Sequence, residues 1–405
     1  MQKRDVVVVG AGAAGVFAAL ELRRRSPQTS VTVLEAAQRP LSKVKISGGG
    51  RCNVTHACFE ISALLAHYPR GQKQLRSILQ RFGPAQTMEW FEQRGVALKV
   101  EPDGRVFPVS DSSQSIIDCL LQQAQILGVE LCTGAAIKEL NTGEDGNFLL
   151  QGPQGDWQAS QMLLATGSSP LSYGWLRRLG HSIVPPVPSL FTFTIADPRL
   201  EGLAGVSPRA PVRATLALDP KIVQEGPLLI THWGLSGPVI LRLSAWGARP
   251  LAEHNYQASL LVDWLPQVDQ EKLRQKLLHY KRDHGRRPFA SEPPAELPKR
   301  LWRSLLGPDS DLPAGQVSDK TLGRWSEMLK RCPFAITAKG VFKEEFVVAG
   351  GVPLAEVDLK TMASRKCPGL YLAGELLDVD GLTGGFNFQN AWATGWLAGS
   401  SLAGG

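Results

Sequence analysis

A glycine-rich turn near the N-terminus constrains the fold of this chain more than any other feature. The run Val6–Val9 predicts a buried parallel strand, and Gly10-Ala11-Gly12-Ala13-Ala14-Gly15 then leads into an alanine-rich helix. In such a turn the first glycine permits a tight bend, the second lets backbone N–H groups approach a pyrophosphate, and the third lets the helix pack closely on the strand. The pattern therefore predicts a Rossmann-like dinucleotide-binding domain, with the helix N-terminus facing the phosphates. The residues predicted at the phosphates are Gly10, Gly12, Ala13, Ala14 and Gly15.

An acidic residue at the end of the second strand supports the same prediction. Ser30–Leu34 has the apolar character of a buried strand, and Glu35 follows it directly. A carboxylate at this position accepts hydrogen bonds from the adenosine ribose hydroxyls and would repel a 2′-phosphate. A glycine-rich turn alone is a weak signal, because such turns also occur as plain helix–strand connections. Here the first strand, the small-residue helix, the second strand and the terminal acid agree, which favours a nucleotide site.

Length and composition indicate a folded protein of two or three domains. The chain has 405 residues and is 43% hydrophobic, which excludes a disordered chain. It shows no secretory signal, and its longest apolar stretch is the nucleotide turn with its helix, so we expect a cytoplasmic protein with no membrane association. Six dispersed cysteines without a CxxC pair indicate neither a disulfide framework nor a metal site.

Two further strand-to-turn segments predict where the chain returns to the nucleotide. Gln161–Leu164 predicts an apolar strand that ends in the small-residue turn Ala165-Thr166-Gly167. Gly369–Ala373 predicts another strand, and it delivers Gly374 and Glu375 at its carboxyl end. Ligands bind at the carboxyl ends of the strands in open α/β sheets. We therefore expect both turns to lie beside the nucleotide.

A second glycine-rich turn precedes the last predicted helix. Gly381–Gly385 would let the backbone approach a ring closely, and the helix that begins at Phe386 has polar residues in its first turn. A helix N-terminus aimed at the N1 and O2 edge of a flavin would stabilise the negative charge that accumulates on reduction. The two distant glycine-rich turns together predict one bound FAD. The polar residues of the first helical turn are Asn387, Gln389 and Asn390.

The order of predicted elements indicates a discontinuous first domain. Strands and helices alternate from the N-terminus to about Val187, which predicts a wound α/β sheet, and Pro185–Pro188 predicts a linker. Period-two alternation in Phe191–Ile195 then indicates antiparallel strands, and helical patterns follow. Strand-like Glu345–Ala349 marks the return to the first domain. The predicted arrangement is a Rossmann-like FAD-binding domain at 1–188 and 341–405, a β-rich insert at 189–265 and a basic helical insert at 266–340.

The chain resembles the HI0933-like family of FAD-dependent oxidoreductases. The resemblance rests on Ser47–Thr55, Thr231–Pro238 and Gly369–Trp392, and it covers essentially the whole chain. It implies an FAD-binding domain, a β-rich insert and a helical insert, in agreement with the boundaries above. Flavoproteins of this general shape also bring the backbone of the loop Gly48–Asn53 close to the isoalloxazine ring. Many relatives carry Tyr where Phe386 stands, so this chain lacks one hydroxyl there.

Several side chains in these motifs are candidates for chemistry. Cys52 is either a proton donor to the reduced double bond or a small buried cysteine, and a disulfide relay is disfavoured because five residues separate it from Cys58. Asn53 is a catalytic candidate, and with Arg51 it could hold an anionic or carbonyl-bearing ligand. His232 is either an acid or base, or it bonds locally to backbone. The predicted cofactor-binding residues beyond the first turn are Glu35, Lys43, Ser47, Gly48, Gly49, Gly50, Arg51, Cys52, Asn53, Ala165, Thr166, Gly167, Gly374, Glu375, Thr383, Gly384, Gly385, Phe386 and Asn387.

The expected reaction is hydride transfer by way of the flavin. Because the chain has no second GxGxxG domain, we expect either that NAD(P)H visits the flavin transiently or that the electron donor is something else. The flavin then passes hydride to a substrate. Activities associated with the resemblance are the reduction of conjugated C=C bonds in small ring compounds and the formation of dihydrouridine in ribosomal RNA. A third alternative is a flavin-binding interaction protein without turnover. No oligomeric state is predicted.

The basic helical insert favours RNA among these substrates. The segment Glu271–Glu345 contains 16 Lys or Arg against 10 Asp or Glu, an excess of 6 in a chain whose formal net charge is +7. These cations could contact phosphates, with Trp302 and Trp325 nearby for base stacking. A solvated helical surface gives the same composition. The predicted nucleic-acid-binding residues are Lys281, Arg282, Arg286, Arg287, Lys299, Arg300 and Arg303.

Overall fold

The computed structural model describes residues 1–340 and 347–404, which form two compact units. Unit 1 combines Met1–Pro186 with Val348–Gly405, and unit 2 is Val187–Val347. The unit boundary falls inside the predicted linker Pro185–Pro188, where the chain forms a strand. The predicted strand Glu345–Ala349 begins outside the described residues, and the observed strand starts at residue 347. The division of the insert at residue 265 stays a prediction.

The helices and strands of the described residues follow in chain order. The strands are β1 (Gln2–Val9), β2 (Val31–Leu34), β3 (Thr55–His56), β4 (Leu98–Val100), β5 (Arg105–Pro108), β6 (Glu130–Cys132), β7 (Glu139–Thr142), β8 (Phe148–Gly152), β9 (Gly155–Leu164), β10 (Val184–Ser189), β11 (Phe193–Thr194), β12 (Val212–Leu216), β13 (Val223–Gly226), β14 (Leu229–Thr231), β15 (Gly234–Ser236), β16 (Ala258–Asp263), β17 (Cys332–Ile336), β18 (Ala338–Lys339), β19 (Val347–Gly351) and β20 (Leu370–Leu372). The α-helices are α1 (Ala13–Arg25), α2 (Ser42–Gly50), α3 (Ile61–Leu65), α4 (Gln72–Arg81), α5 (Pro84–Glu92), α6 (Ser113–Ile126), α7 (Pro170–Arg178), α8 (Pro238–Trp246), α9 (Ala248–Glu253), α10 (Gln270–Asp283), α11 (Lys299–Leu306), α12 (Asp319–Lys330) and α13 (Phe386–Leu402).

The main sheet of unit 1 is the predicted wound sheet. Its strand order is β6-β2-β1-β9-β8-β7, and β20 pairs with the end of β9. Strands β6, β2, β1, β9 and β20 run parallel, with Val6 opposite both Val31 and Gln161. The run Val6–Val9 is buried, as expected for a strand flanked and covered on both faces. Because the five strands are parallel, their carboxyl ends meet at one edge of the sheet.

Small residues let the first and last helices of unit 1 pack closely. A Cβ added at Gly395 would lie 2.5 Å from the carbonyl oxygen of Ala14, and one added at Gly399 would overlap with the carbonyl of Ala18. The ring of Trp392 on α13 lies 5.3 Å from that of Phe17 on α1, between ring centroids. The close approach fixes α13 beside α1, so the N-termini of both helices belong to the same unit.

Unit 2 contains two four-stranded sheets, β14-β15-β11-β18 and β13-β12-β16-β17, and helices α8 to α12 share one hydrophobic core with them. The rings of Trp302 and Trp325 belong to this core, at 1% and 2% exposure. Their indole N–H groups donate to the carbonyls of Phe289 and Leu306 at 2.8 and 2.9 Å. The prediction that these indoles are available for base stacking is therefore wrong. No helix of the described residues is long and apolar enough to span a bilayer.

Candidate cofactor site

Four turns with predicted site residues lie at the carboxyl edge of the parallel sheet. Gly10 follows β1, Glu35 follows β2, the turn Ala165–Gly167 follows β9, and Gly374 lies just beyond β20. These turns come from segments far apart in the sequence, and the parallel pairing of their strands brings them together. Such an edge is where open α/β sheets bind their ligands.

The first glycine-rich turn has the steric properties that a pyrophosphate site requires. Gly10 has φ +106°, and a Cβ there would lie 2.5 Å from the carbonyl oxygen of Ala165. A Cβ at Gly15 would overlap with the carbonyl of Gly10, whereas one at Gly12 would meet no atom within 4 Å. Gly12 begins α1 without a side-chain cap, and the first turn of α1 contains no acidic residue. Among the described residues no side chain caps this helix end, and the space beside Gly12 is open, so its N–H groups fit the phosphates of FAD.

The carboxylate of Glu35 is held in a fixed orientation at the end of β2. One oxygen accepts a hydrogen bond from the N–H of Ala11 at 2.8 Å, and the other accepts from the N–H of Ala37 at 2.9 Å. The first bond joins the end of β2 to the glycine-rich turn. The residue is half-buried, so lone pairs of the carboxylate stay available for the ribose hydroxyls of a nucleotide.

Three more predicted residues converge on the turn that follows β9. The ammonium of Lys43 forms an ion pair with the carboxylate of Glu375, across α2 and the segment after β20. A Cβ added at Gly167 would lie 3.7 Å from that carboxylate and 3.9 Å from that ammonium. Lys43 is 57% exposed and Glu375 is 17% exposed. The structure thus brings Lys43, Gly167 and Glu375 together at the edge of the sheet.

The loop Gly48–Asn53 begins within the C-terminal end of α2, where the backbone leaves helical geometry, and it contains several left-handed residues. Gly48, Gly49 and Gly50 have φ values of +56°, +69° and +85°, and Cys52 has φ +61°. A Cβ added at Gly49 or Gly50 would meet no atom within 4 Å, so this backbone is open to a ligand. Cys52 itself is buried, and burial raises the pKa of its thiol to about 12. These properties favour the buried-cysteine alternative over a proton donor.

The side chain of Asn53 ties this loop to the second glycine-rich turn. With the amide oriented so that both of its polar atoms find partners, Asn53 donates to the carbonyl of Thr55 at 2.9 Å and accepts from the N–H of Gly385 at 3.0 Å. Gly385 has φ +94°, and a Cβ there would lie 2.6 Å from the Thr55 carbonyl. The two segments that were predicted to flank the flavin therefore meet. The catalytic role of Asn53 stays a prediction. Its observed contacts position the loop against the turn that precedes α13.

The first turn of α13 combines a helix end without a side-chain cap with buried polar links. Gly385 begins the helix without a side-chain cap, and no acidic residue follows in the first turn. Asn387 bonds both the N–H and the carbonyl of Gly381 at 2.8 Å. Gln389 is fully buried, accepts from the hydroxyls of Thr55 and Thr87, and donates to a backbone carbonyl. These two side chains therefore shape the turn, and the helix N–H groups are what it offers to an anionic ring edge.

Sequence reasoning missed two histidines beside Phe386. The Phe386 ring lies 4.2 Å from that of His67 and 4.8 Å from that of His56, between centroids. Nε2 of His56 lies 3.0 Å from the carbonyl oxygen of Asp103, so the neutral ring carries its proton on Nε2. Burial lowers the pKa of His56. Both histidines lie far from Phe386 in the sequence, and no spacing pattern relates them.

The acidic partners of Arg51 were also not predicted. Nη1 of Arg51 donates to Glu101 at 2.7 Å and lies 3.4 Å from Asp111. The guanidinium carbon lies 3.9 Å from the centroid of the Phe107 ring. Because these partners come from β5 and the loops on either side of it, only the folded chain identifies them.

The predicted catalytic histidine and the predicted nucleic-acid-binding residues lie in unit 2. His232 is exposed in the two-residue turn between β14 and β15, and its catalytic role stays a prediction. Lys281 and Arg303 form ion pairs with Asp319 and Asp311, each at 2.7 Å. Arg300 donates to a backbone carbonyl. Four exposed cations form no ion pair among the residues that the structure describes: Arg282, Arg286, Arg287 and Lys299.

Comparison with known proteins identifies the family. The model of the HI0933-like protein Rossmann domain matches residues 4–401. The chain is 30% identical over 410 residues to 3-dehydro-bile acid delta(4,6)-reductase of Clostridium scindens, covering 98% of each chain. It is 30% identical over 423 residues to ribosomal RNA dihydrouridine synthase of Escherichia coli K12, covering 99% of this chain and 98% of the relative.

A solved structure has the same fold. The 3-ketosteroid-delta4-(5alpha)-dehydrogenase of Rhodococcus jostii RHA1 superposes with a TM-score of 0.54 at 15% identity, over 99% of this chain and 97% of the other. At that identity the likeness concerns the fold alone. The matched family, the parallel sheet and the two uncapped helix ends agree on the predicted cofactor. The chain belongs to the HI0933-like family and is an FAD-dependent oxidoreductase.

Proposed function

We propose that this enzyme reduces a C=C bond conjugated with a carbonyl group, with uracil in ribosomal RNA as the substrate and NAD(P)H as a transient electron donor. Bound FAD supplies hydride transfer. Two relatives at 30% identity support the reaction class, because one is a bile acid reductase and the other makes dihydrouridine. Dihydrouridine formation and dienone reduction both saturate a C=C bond next to a carbonyl. A cytoplasmic location is part of the same proposal, because ribosomal RNA is the substrate.

The observation that carries the proposal is that two helix ends without a side-chain cap belong to the same unit. The N-terminus of α1 offers unpaired N–H groups beside Gly12, where a phosphate can approach. The N-terminus of α13 offers a second set beside Gly385, which Asn53 fixes in place. An uncapped helix end beside the ring would stabilise the negative charge that a flavin gains on reduction. This arrangement favours a cofactor that works in its reduced form.

The exposed cations of unit 2 favour RNA over a small substrate. Arg282 lies in the last turn of α10, Arg286 and Arg287 lie in the segment just after this helix, and Lys299 begins α11. All four are exposed and form no ion pair within residues 1–340 and 347–404. A cation without an acidic partner retains its full attraction for phosphate, and its contacts release counterions from RNA. The salt dependence of RNA binding therefore tests this part of the proposal.

The decisive experiment compares modified nucleosides in ribosomal RNA. RNA from a deletion strain, digested to nucleosides and analysed by mass spectrometry, is expected to contain less dihydrouridine than wild-type RNA. Complementation with the wild-type gene should restore it. Equal dihydrouridine content in the deletion and wild-type strains would remove ribosomal RNA from the proposal. Anaerobic mixing with NADPH and with NADH should bleach the flavin absorbance, and a flavin that stays oxidised with both would exclude these donors.

A small cyclic enone is the second candidate substrate. The Clostridium scindens relative favours it, since that relative is as similar to this chain as the RNA-modifying one. Purified enzyme with a limiting donor should be offered a steroid 4,6-dien-3-one and a ribosomal RNA fragment in parallel. The larger kcat/KM identifies the substrate class. Turnover of the dienone without turnover of RNA would establish the second candidate.

A further inference from the structure

The guanidinium of Arg51 is held rigidly, with only one of its nitrogens in use. Nη1 bonds Glu101 at 2.7 Å, and the planar group stacks on the Phe107 ring at 3.9 Å. The side chain is 33% exposed. Among the described residues, Nε and Nη2 make no hydrogen bond. Two parallel donors on a fixed plane are therefore open to a ligand.

The position of Arg51 connects it to the loop that carries the site. Arg51 directly follows the open glycines of that loop, and it precedes Asn53 by two residues. The Phe107 ring stacks on the guanidinium and also packs against the start of this loop. A Cβ added at Gly48 would lie 3.0 Å from an atom of the same ring. Asn53 in turn bonds the first residue before α13, Gly385. The fixed guanidinium thus belongs to the same loop that meets the uncapped helix end.

The acidic residues beside Arg51 are shared with two neighbouring cations. Glu101 is shared with Arg105, which lies 2.9 Å from its other oxygen. Asp111 is shared with Lys99. Arg105 also pairs with Asp103 at 2.8 Å, so three carboxylates serve three cations. The geometry of Arg51 is therefore fixed by shared partners, while its Nε–H and Nη2–H donors form no hydrogen bond among the described residues.

We propose that Arg51 binds the carbonyl oxygen conjugated with the reducible C=C bond and stabilises the negative charge that develops on it, with Glu101 as the residue that positions the guanidinium. This inference rests on the proposed function and names the chemistry shared by its two substrates. Uracil has a carbonyl conjugated with C5=C6, and a steroid dienone has one conjugated with its double bonds. A planar cation with two open donors recognises that oxygen in both.

The reaction balances with Arg51 as a charge stabiliser and not as a proton donor. A hydride adds to the carbon β to the carbonyl, and the π electrons of the C=C bond move toward the carbonyl oxygen, giving an enolate. A proton from solvent then adds to the α-carbon and restores the carbonyl. Two C–H bonds replace the C=C π bond, while reduced FAD returns to its oxidised state. Arg51 keeps its proton throughout, because guanidinium is always charged in proteins.

The test uses the FAD-loaded full-length enzyme and three variants. Arg51→Gln removes the guanidinium donors, and Glu101→Gln weakens the bond that orients them. Lys99→Gln is the control, because it removes an equal charge from the same cluster while leaving the Arg51–Glu101 bond in place. Each variant is checked for FAD content from its visible spectrum. The readouts are kcat and KM with dienone and RNA, and the dissociation constant of 4-nitrophenolate, an anion that mimics an enolate without turnover.

We expect Arg51→Gln to lower kcat about 100-fold, the typical loss for one oxyanion-binding donor, with FAD content unchanged. Loss of a charge-assisted hydrogen bond should weaken 4-nitrophenolate binding about 10-fold or more. Glu101→Gln should lower kcat about 10-fold, because the donors remain but are less well oriented. Lys99→Gln should match the wild type in all three readouts.

The proposal is overturned by an Arg51→Gln enzyme with wild-type kcat and phenolate affinity. It is equally overturned by loss of FAD in that variant, because Arg51 would then serve the cofactor, or by a wild-type enzyme that binds no phenolate. A wild-type enzyme that binds phenolate through Arg51 but reduces neither substrate counts against the proposed function alone. The two failures are therefore distinguishable.

Discussion

The glycine-rich turns of unit 1 and the basic insert of unit 2 (266–340) differ in what fixes their geometry. At Gly10 and Gly15 the backbone runs so close to its neighbours that no side chain fits. At Lys281 and Arg303, long flexible side chains turn toward acidic partners that no local pattern identifies. A binding site made of backbone follows from a few consecutive residues, whereas one made of side chains depends on the neighbours that folding supplies.

The strongest test of the backbone site is Gly15→Ala. The added Cβ would overlap with the Gly10 carbonyl and lie 3.2 Å from Cγ1 of Val8, inside the strand that anchors the sheet. Because backbone cannot move away cheaply, the free energy of unfolding should fall by about 3 kcal/mol. Urea denaturation of the FAD-free protein measures it.

Gly12→Ala is the matched control for this variant. A Cβ there meets no atom within 4 Å, and φ is −82°, which any residue adopts. The FAD-free protein should keep its free energy of unfolding, while the dissociation constant of FAD rises about 10-fold because the methyl group separates the helix N–H groups from the pyrophosphate. If both variants lose stability and neither loses FAD affinity, the turn is only structural.

Among the side chains that support the site, Gln389→Ala should cause the largest loss in the free energy of unfolding. It leaves the hydroxyls of Thr55 and Thr87 and one backbone carbonyl without their buried partner. Each unsatisfied group costs about 1–3 kcal/mol, so we expect a total loss near 3 kcal/mol because Thr87 retains a second acceptor. Gln93→Ala, an exposed glutamine in the same unit, should change the free energy of unfolding by less than about 0.5 kcal/mol. Equal effects of the two changes would contradict a buried network.

The backbone parts of the candidate site were predictable from the sequence, whereas most side-chain contacts were not. The strand Val6–Val9 and the open position at Gly12 follow from local pattern, because period and residue size act over a few residues. Gln389 was predicted only as a polar residue in the first turn of a helix aimed at the flavin, and its bonds to Thr55 and Thr87, partners in distant segments, were not predicted. Trp302 was predicted to lie near the basic residues for base stacking, although its ring is buried in the core. Charge density does not reveal which side of a helix a large ring occupies.

The third test concerns the exposed cations of the basic helical insert that form no ion pair within the described residues. Replacing Arg282, Arg286 and Arg287 together by Gln should weaken binding of a ribosomal RNA fragment and lower the slope of log K against log salt by about 2, since each lost phosphate contact accounts for about 0.7. The paired cations are the control. Lys281→Gln with Arg303→Gln should lower the slope by less than about 0.7, because Asp319 and Asp311 already neutralise those charges. Anisotropy titrations at several salt concentrations measure both, and equal slopes for all three proteins would remove the insert from RNA binding.

The smallest expected effect is at Cys52, a side chain enclosed within the backbone site. Burial raises the pKa of its thiol from 9.0 to about 12, so the folded state favours the neutral form. Its contribution to stability is therefore complete below the unfolded pKa, constant across neutral pH, and lost only as pH rises through the folded value.

Cys52→Ala should keep FAD and reduce substrate within about 3-fold of the wild-type rate, since a neutral buried thiol transfers no proton. In alkylation at pH 8, the half-buried Cys58 should react before Cys52. A Cys52→Ala enzyme that binds FAD normally but has a kcat about 100-fold lower would contradict this expectation. The thiol would then be the proton donor, and a buried side chain would take part in catalysis at a site otherwise formed by backbone.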